Sequence, residues 1–190
     1  MKNDLFSIGP FTVHGYGLMI AIGVLSAYYM VEYRAKKKQM DWEKVFPLTV
    51  WSVLGGFLGS KILYLLTRLP DILANPALLG SSIKDGFVVY GGIIGGILTA
   101  WIYCKCTKWN FWKIFDIAMP AVAMAQGFGR IGCLLAGCCY GIELDPANPI
   151  GIVFHNSAYA PNDVALLPTQ IISSVLDFAN CFVLLALSKK

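Results

Sequence analysis

Charge is what this sequence has least of. Of its 190 residues, only 14% are Asp, Glu, Lys or Arg, where soluble domains carry about 25%. Histidine is scarcer still, with only His14 and His155. No CxxC pair occurs, so no zinc-type site and no metal ligand set is expected. Six cysteines are present, but a disulfide framework belongs to small secreted domains, and this chain is not one. No repeat, low-complexity tract or soluble domain is visible, and the chain reads as one polytopic membrane domain, residues 1–190. The net charge of +4 is dispersed in short clusters between apolar runs. That pattern describes membrane topology and excludes a nucleic-acid footprint.

What is abundant is apolar sequence: 57% hydrophobic residues and a mean hydropathy of +0.63. A span needs about 20 mostly apolar residues. The runs predict an all-α membrane protein, a bundle of about five transmembrane helices over 12–33, 45–66, 87–104, 114–137 and 168–187. The N-terminal ten residues lack a basic n-region, and Leu5 to Val31 contains no charged side chain. That run is too long for a signal-peptide core and is expected to be a retained first helix. Residues 67–86 read as an interfacial loop and 138–167 as a polar loop. Alternating the spans places ten Lys and Arg residues on one side and three on the other. The positive-inside rule then predicts an outer N-terminus and a cytosolic C-terminus.

Arg130 is the sharpest chemical signal. It stands in an otherwise uncharged stretch from Ile117 to Ile142. An arginine at depth costs at least about 2.5 kcal/mol on insertion scales, so it faces a cavity, a partner or a substrate. Its planar fork matches a pair of phosphate oxygens. The competing reading is a structural pair, with Asp116 or Glu143 as the carboxylate. Residues 127–132 also match GxGxxG, but a dinucleotide site needs a preceding strand, and these lie in a span. Lys61 is either a second buried cation or a snorkelling side chain. Tyr16 and Tyr90, taken singly, fit the aromatic belt. The glycines of residues 55–59, 91–96 and 127–132 place small residues on one helix face and are read as helix packing. Cys133, Cys138 and Cys139 cluster beside Arg130 as buried thiols, with activation by the cation as the minority reading. His155 reads as a solvated loop residue.

Four segments, in order along the whole chain, resemble the prolipoprotein diacylglyceryl transferase family. Ser7-Ile8-Gly9-Pro10 with His14-Gly15-Tyr16-Gly17-Leu18-Met19 is similar to its SIGP…HWYGLM opening. Tyr90-Gly91-Gly92-Ile93-Ile94-Gly95 is similar to HGGLIG, and Leu167-Pro168-Thr169-Gln170 to HPSQ. Gly129-Arg130-Ile131-Gly132-Cys133 through Gly141 resembles the signature GRxGNFxNxExxG.

The resemblance implies an enzyme of the bacterial cytoplasmic membrane. That family moves a diacylglyceryl group from phosphatidylglycerol to the lipobox cysteine thiol of a preprolipoprotein signal peptide, with no cofactor. By this resemblance Arg130 and Tyr90 are the catalytic candidates. Tyr16, His14, Gly91, Gly92, Gly129, Gly132, Lys61 and Gln170 are the substrate-binding candidates. The departures are specific. Tyr90 stands where many members have histidine, Cys133 and Ala136 where the signature has asparagine, and Cys138 where it has glutamate. Ile172-Ser173 replaces the YE that follows HPSQ, and the family's two further spans, with another arginine, have no counterpart here. A non-catalytic phospholipid-binding or accessory protein, and a small transporter or thiol-redox membrane protein, are the competing expectations.

Overall fold

A computed structural model describes residues 4–8, 11–75, 80 and 86–188, with side chains from His14 onward. Lys2, Gly9, Pro10, Pro76, Lys84, Lys189 and Lys190, which entered the charge and motif arguments, lie outside the described residues. Six helices are described: α1 (Gly15–Lys37), α2 (Val45–Thr67), α3 (Leu69–Ala74), α4 (Val89–Cys106), α5 (Phe111–Ala136) and α6 (Thr169–Leu187). All but the short α3 are long and apolar enough to cross a membrane. The five expected spans are therefore present, with ends displaced by a few residues.

The largest displacement is at the start. Thr12 to His14 belong not to the first helix but to a hairpin of β1 (Asp4–Ile8) and β2 (Phe11–His14), in which Ile8 faces Phe11. Uncharged sequence alone does not separate a strand from a span. The loop expected over 67–86 contains α3, whose start is marked by Pro70 in its first turn, where a missing N–H costs nothing. The 138–167 loop is also built. Strands β3 (Ile152–Val153) and β4 (Ala165–Leu166) pair over a small core of buried Phe154, Ala160 and Leu166. His155 Nδ1 lies 2.6 Å from Asp163 Oδ1 on its exposed face.

The residues group into two compact units, 1–34 with 116–190, and 35–115. In the second, α2 and α4 pack through their glycines. A Cβ on Gly59 would strike the Gly91 carbonyl, one on Gly95 the Gly55 carbonyl, and one on Gly55 the Thr99 hydroxyl. Small residues at four-residue spacing let two backbones touch, which is how helices associate where no hydrophobic force drives them together. Polar atoms on these helices are satisfied locally. Thr99 Oγ1 donates to the Gly95 carbonyl at 2.7 Å and Ser60 Oγ to the Val88 carbonyl at 2.8 Å. Buried Leu48, Cys104 and Ile114 close the other end of this unit.

Candidate functional site

In the first unit, α5 is flanked by α1 and α6, and glycine decides where each can approach. Gly127 lies under the Phe178 ring, 2.9 Å from where its Cβ would be, and Gly23 of α1 sits on the Ala125 carbonyl. Gly132 is buried against Tyr16 and Met19. Gly129 differs: nothing lies within 4 Å of the position its Cβ would take. Open space therefore adjoins Arg130, which is itself only partly exposed.

Helix α6 turns a polar stripe inward. Gln170, Ser174 and Cys181 are buried, and Asp177 is half-buried between them. Their spacing of four, three and four residues is one helix face. The outward face is Ile171, Ile172, Val175, Leu176, Phe182 and Val183, the inverse of a soluble helix and the arrangement a lipid environment favours. Ser174 Oγ donates to the Gly127 carbonyl at 3.0 Å, locking α6 to α5. One turn further along, Asp177 comes within electrostatic range of Arg130, and its Oδ2 is buried with no hydrogen-bond partner. Gln170 Oε1 is likewise an unpartnered acceptor.

Asp177 is thus a carboxylate within electrostatic range of Arg130, and Asp116 is not. Asp116 is 14 residues away on the same helix, about 21 Å by helical rise, where it acts on the buried Arg34. Glu143 is held in a bridge to Leu166. Arg34 leaves the solvated basic cluster to which the charge pattern assigns it: it is only 7% exposed. Asp177 and Ser174 escaped the sequence reading because isolated polar residues in an apolar run look tolerated. The available signal was the four-three-four spacing of polar residues from Gln170 onward.

Beyond α5 the chain turns back on itself. Gly137, with φ +74°, ends the helix. The Gly137 N–H bonds the Leu134 carbonyl at 3.2 Å and the Cys138 N–H bonds the Cys133 carbonyl at 3.1 Å. This pair is the Schellman pattern, which lays the second residue past the cap over the helix's last full turn. Cys138 accordingly meets Cys133. Cys139, with φ +57°, folds in beside them, and the three sulfurs lie within 4.8 Å of one another. Burial pushes the Cys138 thiol above its usual value, and the hydrogen bond from Cys133 opposes this only in part. The spacing CxxxxCC carries none of the usual metal-ligand patterns, so the expectation of no metal ligand set missed this convergence.

The remaining candidates are distributed as follows. Tyr16, 42% exposed in the first turn of α1, has its ring on Gly132. His14 is exposed at the end of β2. Gln170 Nε2 donates to the Cys138 carbonyl at 2.8 Å, and Thr169 Oγ1 to the Cys139 carbonyl at 2.8 Å. These residues, with Arg130, Gly129 and Gly132, share one unit. Tyr90, Gly91, Gly92 and Lys61 belong to the other. Tyr90 is 73% exposed in the first turn of α4. Gly91 is buried against Gly59 and Leu63, and Gly92 faces the Gly56 carbonyl and Ser60. The close approach these two glycines permit is to α2. Lys61 reaches out of α2 to the Gly86 carbonyl at 3.0 Å, with its ammonium 4.4 Å from the Phe87 ring centre.

Fold and site together define a polytopic membrane protein of five apolar helices with an arginine–aspartate neighbourhood set inside the spans. The chain belongs to the prolipoprotein diacylglyceryl transferase family, whose model matches residues 3–190. It is similar to a phosphatidylglycerol–prolipoprotein diacylglyceryl transferase of Clostridium tetani, 44% identical over the whole chain and 75% of that relative. A second relative of that name, from Clostridium perfringens, is 42% identical over 94% of the chain and 69% of its own length. One from Salmonella arizonae is 37% identical over 87% of the chain and 57% of its own length.

Proposed function

We propose that this protein transfers the diacylglyceryl group of phosphatidylglycerol to the thiol of a lipobox cysteine in a preprolipoprotein, in the bacterial cytoplasmic membrane. The thiol sulfur attacks the glycerol carbon that carries the phosphate ester. The C–O bond to phosphate breaks, a thioether forms and glycerol phosphate leaves with the electron pair. The thiol proton ends, overall, on the released phosphate or in water. Negative charge grows on the leaving phosphate, and a fixed cation in a low-dielectric site stabilises that growth strongly. Arg130 supplies it.

The observation that carries this reading is Arg130 within the span, next in sequence to Gly129 with its open side, and within electrostatic range of Asp177. The unpartnered Asp177 Oδ2 suits a hydroxyl of the glycerol head group, which would give that buried acceptor its missing donor. Tyr16, His14, Gly132 and Gln170 belong to the same unit as Arg130. By the family resemblance alone, Tyr90, in the place of the family's histidine, is the candidate for thiol-proton removal, and Lys61, Gly91 and Gly92 are candidates on the same ground. The charge distribution orients the molecule with its N-terminus outside and its C-terminus in the cytosol.

The test is mass spectrometry of a lipobox peptide incubated with purified protein and phosphatidylglycerol vesicles. Wild type adds one diacylglyceryl group, and Arg130→Ala lowers the rate by about 10²- to 10³-fold, the cost of losing one transition-state charge partner. A departure-based reading has its own support, since Cys133, Ala136 and Cys138 replace the family's asparagines and glutamate. A protein that binds phospholipid yet never lipidates the peptide would establish that non-catalytic reading instead.

A further inference from the structure

We infer that Cys133, Cys138 and Cys139 form a binding site for a thiophilic d10 metal ion of the Cu(I), Zn(II) or Cd(II) class. Three features support this, and none depends on diacylglyceryl transfer. The sulfurs lie within 4.8 Å of one another. Three thiolates at a metal–sulfur distance of about 2.3 Å span a triangle that fits this spacing.

The convergence is also imposed by backbone geometry. The helix cap at Gly137 stacks Cys138 on Cys133, and the left-handed Cys139 completes the triangle. The loop is then pinned from outside. Gln170 and Thr169 each hold one of the two cysteine carbonyls, so the ligands need no reordering on binding. Third, the donor set is selective. Among the described residues no carboxylate or imidazole joins the cluster, and an all-sulfur set favours soft ions over Mg²⁺ or Ca²⁺.

Binding balances by proton release. Each thiol that ligates loses its proton to solvent, up to one per sulfur, and no electron changes hands. Because each ligating thiol must shed its proton, affinity rises with pH.

Titration of the reduced, detergent-solubilised protein with CdCl₂ tests the site. The expected result is one equivalent bound, a sulfur-to-metal charge-transfer band, and protection of all three cysteines from alkylation read by peptide mapping. Cys133→Ser should lower the affinity at least tenfold, and exposed Cys139→Ser carries the same test if the first variant fails to fold. A variant with serine at Cys104, Cys106 and Cys181 should bind as wild type does, and MgCl₂ should give no band. A band that survives in Cys139→Ser, the absence of any band, or a Cys133–Cys138 disulfide in protein alkylated directly in cells would overturn the inference.

Discussion

The α2–α4 pair and the α1–α5–α6 group use the same residue, glycine, for different ends. Between α2 and α4 the stripe residues Gly55, Gly59, Gly91 and Gly95 are each filled by an opposing backbone or hydroxyl, and the polar side chains turn back to nearby carbonyls. On α5, Gly127 and Gly132 are filled in the same way, but Gly129 faces nothing, and the polar residues of α6 leave buried oxygens unpartnered. An apolar hollow lined by Gly55, Gly59, Gly91 and Gly95 flanks the α2–α4 contact, so what separates the two regions is polarity: an interface that keeps a cation and an unpaired acceptor within the apolar layer retains costs that packing does not require.

Substitutions break this comparison at different strengths. Arg130→Ala, at 10²- to 10³-fold in turnover, is the largest expected effect. Gly95→Ala follows. Its methyl meets the Gly55 carbonyl, and overpacking of this kind costs about 1–3 kcal/mol, measurable as lower unfolding resistance in mild detergent. Asp177→Asn removes a carboxylate within electrostatic range of Arg130 and should slow peptide lipidation about tenfold, or 1.4 kcal/mol, with unfolding unchanged. Gly129→Ala separates the two regions most sharply. Its methyl enters open space and replaces a poor helix former, so stability should rise by up to about 1 kcal/mol while lipidation falls. Equal destabilisation by Gly129→Ala and Gly95→Ala would erase the distinction. His155→Ala, which removes an exposed pair with Asp163, should change stability by less than about 0.5 kcal/mol and leave lipidation intact.

How far the sequence reveals this molecule depends on the range of each signal. The spans were legible because about 20 apolar residues in a row have few other uses, and α6 began within one residue of its expected start. The entry to α1 was not, since Thr12 to His14 are as apolar in a hairpin as in a helix. Arg130 was legible alone, as a charge in an uncharged run. Its neighbour Asp177 required knowing which face of α6 meets α5, a tertiary fact. The packing role of Gly91 was available from glycine spacing, whereas the vacancy at Gly129 was not, because the two look alike until the partner helices are in place. The cysteine triangle depends on a helix ending at Gly137 in one particular cap. That cap was foreshadowed by glycine after the last apolar turn, but its consequence for three sulfurs was visible only in three dimensions.

In the proposed reaction Arg130 holds the phosphate of an anionic lipid. Native mass spectrometry of protein equilibrated with phosphatidylglycerol and a chain-matched diacylglycerol, in equal amounts, addresses it without requiring turnover. Wild type should retain phosphatidylglycerol in at least tenfold preference, and Arg130→Gln should retain the two lipids about equally. An undiminished phosphatidylglycerol preference in Arg130→Gln would show that Arg130 does not hold the phosphate.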